Sequence, residues 1–368
     1  MAIQIRICER KIKEHFMKKI ITVVGARPQF VKAAVVSEQF GKFSKLEEVM
    51  VHTGQHYDEN MSNVFFSELE MVPPKYTLDV NNCSHAEMTG KMLIELDKVF
   101  DKEMPDGVLV YGDTNSTLAA ALVAAKRGVP IFHVEAGLRS YNREMPEEVN
   151  RILTDHLSAV LFTPCENASL TLKGEGIEDK KIFNVGDVMF DLFLKVRPRL
   201  NKQNNPINKY VVCTIHRQDN TDDQKKLTKI FEKLDAVCEG MDVIMPIHPR
   251  TQSKVERYGI KTKVKFVSPL SYINMMELVS GSEFVVTDSG GLQKEAFFNE
   301  KVCITVRSET EWNELLEINW NILFDLDKDD EILDSFEKLN IEKQNDAKPY
   351  GSGAASYEIL KNIEEFLG

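Results

Sequence analysis

The chain has no apolar run approaching the roughly 20 residues that span a bilayer, which argues against a membrane-inserted protein. It has little cysteine. Its six cysteines (Cys8, Cys83, Cys165, Cys213, Cys238 and Cys303) are scattered and form no CxxC pair. That pattern points to a reduced, cytoplasmic protein without a structural zinc site. There is no excess of positive charge, since the net charge is −11, which argues against a general nucleic-acid binder. Neither GxGxxG nor a Walker loop occurs, and no Ser-His-Asp or Cys-His arrangement stands out. No third ligand completes a metal site around His133 and Glu135, and His52 and His56 are read as hydrogen-bonding residues, so neither a metal nor another cofactor is expected.

What is present is a globular composition, 43% apolar and 28% charged over 368 residues, enough for two domains. Residues 1–16 are charged and lack the apolar core of a secretory signal. Met17 directly precedes the first strand-like run, so 1–16 is read as an upstream start or extension and set aside. From there short β-branched runs alternate with helical segments. Strands are expected at 19–24, 48–52, 108–111, 130–134 and 159–163, with helices opening at GARPQFVKAA and near 61–69, 85–101, 114–127 and 147–156. Such alternation indicates parallel βαβ units. The polar, proline-broken NKQNNPINK (201–209) suits a linker. A second alternating set follows, with strands at 210–214, 242–246, 264–267, 283–287 and 302–305, and SGAASYEILKNIEEFLG reads as a final amphipathic helix. The expected architecture is α/β: an extension (1–16), a Rossmann-like domain (17–186), a connecting helix and linker (187–208), a second Rossmann-like domain (209–350) and a C-terminal helix (351–368), with a cleft between the domains.

The stretch from Tyr111 to Arg151 concentrates polar residues after hydrophobic strands. In open α/β sheets ligands bind beyond the carboxyl ends of the strands. Asp113, Glu135 and Glu147 are therefore expected to converge, with Arg139 as a substrate-binding candidate and Arg143 and Arg151 near in sequence. Carboxylates set among cations suit proton transfer on an anionic substrate. For Asp113 an equally weighted reading is a helix cap, and the Glu/Arg pairs also fit surface ion pairs.

Other strand ends offer anion sites. In GARPQFVK, Gly25 allows a tight turn, Pro28 suits a helix start, and Arg27 and Lys32 add charge, although an ordinary strand–helix turn reads the same way. TDSGGLQKEAFF is the stronger signal. Ser289, Gly290 and Gly291 would lie at a helix N-terminus able to cradle a diphosphate, and Glu295 one turn on could take ribose hydroxyls. TIHRQDN places His216 and Arg217 after a strand, where a histidine can neutralise or protonate a leaving phosphate, or simply form structural hydrogen bonds. PIHPRT places His248 and Arg250 after the next strand, and RSETEW, beginning at Arg307, could close the pocket; His248 and Arg307 are counted as substrate-binding candidates.

GARPQFVK, TGQH, YGDTNST, HVEAGLRS, PEEVNR, TIHRQDN and DSGGLQKEA occur together in this order. The string closely resembles the non-hydrolysing UDP-N-acetylglucosamine 2-epimerase family, from about Lys18 to the last helix. The resemblance implies two Rossmann domains in a GT-B-like arrangement, a final helix packing back on the first domain, and a homodimer. It also implies interconversion of UDP-GlcNAc and UDP-ManNAc without NAD or metal, by elimination of UDP across C1–C2 and re-addition. Motif by motif, Asp113, Glu135 and Glu147 would be the catalytic carboxylates, their order of action open. Arg27, Lys32 and His216 would stabilise the departing diphosphate, and Ser289, Gly290 and Glu295 would hold phosphate and ribose. Gln55, His56 and Arg217 would fall near a second UDP-GlcNAc site that activates some bacterial members.

Departures from the commonest family pattern are Ala26, Gln29 and Phe30 in the first loop, Lys294 in place of an acidic residue, and RSETEWNE for RxxTERPE. They resemble a branch acting on modified sugars, such as UDP-2,3-diacetamido-glucuronic acid or UDP-linked 6-deoxy amino sugars. The basic residue near the usual RQ motif is missing from NNCSHAEMTG, which argues against allosteric activation. A GT-B glycosyltransferase, a non-catalytic UDP-sugar-binding protein and a hydrolysing epimerase are the other readings.

Overall fold

The computed structural model describes residues 17–55, 71–200, 209–328 and 331–368. The expected helix at 61–69, His56, the extension and most of the linker lie outside the described residues, as does the side chain of Arg27. The chain forms two compact units. One runs up to Leu192 and takes back Pro349–Gly368; the other is Phe193–Lys348. No helix among the described residues is long and apolar enough to cross a membrane.

The first unit is built on seven parallel strands: β1 (Lys18–Val24), β2 (Leu46–His52), β3 (Tyr76–Thr77), β4 (Gly107–Tyr111), β5 (Ile131–Val134), β6 (Val160–Thr163) and β7 (Ile182–Asn184). Their order is β3-β2-β1-β4-β5-β6-β7. β1 pairs on both sides, Ile20 with Glu48 of β2 and with Gly107 of β4. Helices cover both faces of such a sheet, so its central strands are apolar without alternation. Ile20, Ile21, Val23 and Val24 are fully buried, as is all of β4. Each such side chain contributes about 1.5–3 kcal/mol.

The second unit repeats the plan with β8 (Tyr210–Thr214), β9 (Asp242–Pro246), β10 (Lys265–Val267), β11 (Val285–Thr287), β12 (Cys303–Thr305) and β13 (Asn321–Leu323). The order is β10-β9-β8-β11-β12-β13, again all parallel. Both units are thus Rossmann-like. In each, the strand order reverses beside the first strand: at β1/β4 in one and β8/β11 in the other. That reversal opens a crevice at the strands' carboxyl ends.

The last helix, Ala355–Leu367, is anchored to the first unit. Asp191 accepts from the Ser356 N–H and hydroxyl, both at 2.7 Å. Phe366 meets the edge of Phe132, and Tyr357 meets Phe43.

Candidate active site

At the β1/β4 crevice the backbone is drawn unusually close. A Cβ on Gly25 would lie 2.0 Å from Ser116 Oγ and 2.2 Å from Thr53 Oγ1, so only glycine fits. The buried Gln29 side chain binds this turn to β4. Its oxygen accepts from the N–H groups of Gly25 (2.8 Å) and Ala26 (3.1 Å). Its nitrogen donates to Tyr111 O (2.8 Å) and Thr117 Oγ1 (2.9 Å). A carboxylate could not make the last two donations, which accounts for glutamine in the loop. Phe30 stacks on His52 with ring centroids 4.9 Å apart. Gln55 accepts from the Ser116 N–H (3.2 Å) and hydroxyl (2.9 Å).

Asp113 does not cap the helix that follows it. Thr114 does, its hydroxyl accepting from Thr117 N–H at 3.3 Å, and Gly128 ends the helix in a left-handed turn. The Asp113 carboxylate meets Arg151 at 2.6 Å instead. Burial pushes the carboxyl up; Arg151 and Lys32 oppose this, Glu135 and Glu147 add to it, and the net shift is upward. Lys32, Arg151, Glu135 and Glu147 are thus all near enough to Asp113 to shift its proton affinity. Lys32 pairs directly with Glu135, both side chains being nearly buried. Glu135 itself has φ +68°, a left-handed conformation costly for a residue with a Cβ and typical of functional sites. Gly112 before Asp113 has φ +59°, and a Cβ there would come 3.1 Å from the Glu135 carboxylate.

The helix Pro146–Leu157 presents the motif PEEVNR with a distinct task for each polar residue. Glu147 is half-buried in the first turn and near enough to act electrostatically on Asp113. Glu148 is fully buried and accepts from the N–H groups of Ser140 and Tyr141, both at 2.9 Å. Asn150 donates to Asp113 O at 2.9 Å, while Arg151 holds the Asp113 carboxylate.

The expectation that Arg139 binds substrate is corrected. Its guanidinium is 3% exposed and is consumed by Asp155 (2.7 Å), Leu138 O (2.6 Å) and a fork to Glu175 (2.8 and 2.7 Å). Sequence reading missed Asp155, which carries no motif of its own. Its one signal was a carboxylate on the helix that also bears Glu147 and Arg151.

At the β8/β11 crevice the organiser is Asp288, the residue that follows β11. Burial alone would raise it, but the His216 ring, the Arg217 N–H and Asn220 outweigh burial and hold it below the ordinary carboxylate range. It accepts from the backbone N–H groups of His216 (3.0 Å) and Arg217 (2.9 Å) and from Asn220 (3.0 Å). His216 Nδ1 lies 3.2 Å from it, and the ring is half-exposed. Ser289 caps the helix Gly290–Phe298, leaving Gly290 and Gly291 as its first residues. Glu295 lies on the same helix, half-buried. Lys294 is buried with its ammonium 3.8 Å from the Trp312 ring centroid, so two of the unusual residues form one cation–π pair. Arg307 forks onto Glu311 at 3.0 Å twice and is 8% exposed, so that carboxylate occupies its guanidinium in this structure. His248 caps the helix Pro249–Tyr258 by accepting from Arg250 N–H at 3.2 Å. Arg217 lies 3.8 Å from Glu311.

The sequence profile of the UDP-N-acetylglucosamine 2-epimerase family matches residues 38–364. The chain is 47% identical over 353 residues to the UDP-2,3-diacetamido-2,3-dideoxy-D-glucuronate 2-epimerase of Pseudomonas aeruginosa, covering 94% of this chain and 99% of that one. Among solved structures it is similar to the Methanocaldococcus jannaschii UDP-GlcNAc 2-epimerase in complex with UDP-GlcNAc and UDP, with TM-score 0.87 and 38% identity over 94% of this chain and 99% of that one. It is also similar to the Neisseria meningitidis UDP-GlcNAc 2-epimerase bound to UDP-GlcNAc, with TM-score 0.84 and 28% identity over 94% and 100% of the two chains. With the profile spanning most of its length and relatives of this identity matched almost end to end, the chain belongs to the UDP-N-acetylglucosamine 2-epimerase family and is an isomerase.

Proposed function

We propose that the chain interconverts UDP-GlcNAc and UDP-ManNAc. The observation that carries this reading is the convergence of Asp113, Glu135 and Glu147 with Lys32 and Arg151 at the β1/β4 crevice. Binding a dianionic nucleotide gains nothing from three carboxylates; moving a proton at C2 does. The C2 hydrogen of an acetamido sugar is barely acidic, so abstraction is coupled to loss of the neighbouring group. A carboxylate takes the C2 proton, the C1–C2 double bond forms, and the C1–O bond breaks, with its electrons leaving on UDP. In the return step a UDP oxygen attacks C1 and a carboxyl delivers a proton to the opposite face of C2. One group must begin ionised and another must hold a proton. Asp113 is pushed toward its proton-bearing form, whereas Glu135 lies against an ammonium. Ser289, Gly290, Gly291 and Glu295 are assigned to phosphate and ribose, and His216 to the departing charge. Arg27 and Lys32 are assigned to the diphosphate, Lys32 being shared with Glu135. The enzyme is further proposed to act as a cytoplasmic homodimer, a reading supported by the family resemblance and tested by sedimentation.

A second substrate is favoured by one observation, the 47% identity to the diacetamido-glucuronate epimerase. Proton NMR in D2O separates the two. UDP-ManNAc carrying deuterium at C2 supports the first reading. Turnover of UDP-2,3-diacetamido-glucuronic acid alone supports the second. Free sugar and UDP would mean hydrolysis, and silence on every substrate, from folded protein that binds UDP, would leave a transferase or a binding protein.

A further inference from the structure

Below the carboxylates of the first unit lies a second buried cluster. His133, Asp155 and Arg139 are 0%, 1% and 3% exposed. His133 Nε2 is 2.7 Å from the carbonyl oxygen of Gly112, the residue before Asp113. A carbonyl only accepts, so Nε2 carries a proton. The other ring nitrogen, Nδ1, is 2.7 Å from Asp155 Oδ1. The second oxygen of Asp155 accepts from Gly137 N–H (3.2 Å) and from Arg139 (2.7 Å). Gly137 closes the turn that follows Glu135, and it too is left-handed, at φ +84°. Gly112 N–H donates to Val134 O at 2.9 Å, so this residue is gripped from both sides. Behind Asp155, Arg139 is forked onto Glu175.

We propose that Asp155 is a positioning residue for both Asp113 and Glu135. Through His133 it sets the backbone immediately before Asp113, and through Gly137 it holds the left-handed turn that presents Glu135. Asp155 touches no reacting atom. Its effect is on the spacing of the two carboxyls, and a misplacement of an ångström or less at such groups costs one to two orders of magnitude in rate. The inference rests on the epimerase reading above.

The test compares Asp155→Ala with Asp155→Asn. Asparagine keeps the shape: its oxygen can serve Gly137 and Arg139, and its NH2 can donate to an unprotonated Nδ1 while Nε2 keeps its proton. Alanine removes every link. For Asp155→Ala, kcat per folded molecule is expected to fall about 10- to 100-fold, with KM and UDP affinity within about three-fold. Asp155→Asn should recover at least about ten-fold of that loss where the loss is that large. If Asp155→Ala does not fold, His133→Asn, too short to reach from Asp155 to the Gly112 carbonyl, is expected to show the same kcat-only loss. Unchanged kcat per folded molecule, with only the melting temperature lowered, would mean a merely structural role and overturn the proposal. An asparagine variant as poor as alanine would overturn it in favour of charge. If the wild type turns over neither candidate substrate, the epimerase reading fails and this inference with it; wild-type turnover with normal variants sinks the inference alone.

Discussion

The two units share one topology, yet their crevices are furnished in opposite ways. At β1/β4 the polar groups are side chains of both signs: three carboxylates, Lys32 and Arg151, set on a buried frame of Gln29, His133, Asp155 and Arg139. At β8/β11 the crevice is formed by a glycine-led helix start and by Asp288, which fastens the His216–Arg217 backbone from below. The difference matches the work proposed for each. Proton transfer needs groups that change charge, and these must be held apart by fixed neighbours. An anion needs only N–H groups and a positive helix end, which the backbone supplies. Titration divides the same way. In the first unit burial pushes Glu48, Asp113 and Asp191 upward, whereas in the second His216, the Arg217 N–H and Asn220 hold Asp288 down.

The widest separation between the crevices is expected from Asp113→Asn or Glu135→Gln. Each should lower kcat by about 100- to 10,000-fold while UDP affinity, measured by titration calorimetry, stays near wild type. Normal rates in either variant would end the division of labour. The glycines offer the next contrast. Gly25→Ala drives a methyl into Ser116 and Thr53 and should cost about 1–3 kcal/mol in denaturant unfolding. At Gly290 the nearest atoms to an added Cβ are 3.7 and 3.8 Å away, so Gly290→Ala should leave the melting temperature alone and weaken UDP by about ten-fold, near 1.4 kcal/mol. A stable variant with full UDP affinity would show that Gly290 does not approach a ligand.

The smallest effect concerns pH. Burial pushes Glu48 to about 7, with the Thr22 and Ser37 hydroxyls opposing it. A carboxyl raised above its unfolded value contributes stability at pH below that unfolded value and loses it as pH rises through about 7. Relative to Glu48→Gln, the wild type should therefore lose a few degrees in melting temperature between pH 5 and 8. A parallel pair of pH curves would refute this.

Much of this was legible in the chain. The β-branched runs ending in YGDTNST and HVEAGLRS announced β4 and β5, because buried parallel strands are apolar on both faces. β3, β7 and β13 were missed, being two or three residues long and too short to show a pattern. The pairings of Arg139 and Arg307 were hidden for a different reason. Sequence shows that a cation lies near a strand end, but not whether a distant Asp155, Glu175 or Glu311 has already claimed it.

By itself the sequence determined the alternation of strands and helices, the two-domain plan, the glycine-led helix start and the family. These depend on local periodicity and on motifs whose residues are adjacent. Only the tertiary structure decided that Asp113 faces Arg151 instead of capping its helix, that Lys32 belongs to Glu135, and that Asp155 lies beneath both carboxylates. Those links join residues 18 to 103 positions apart. They exist because strand order brings the ends of β1, β4 and β5 side by side, where low dielectric makes each buried charge find a partner.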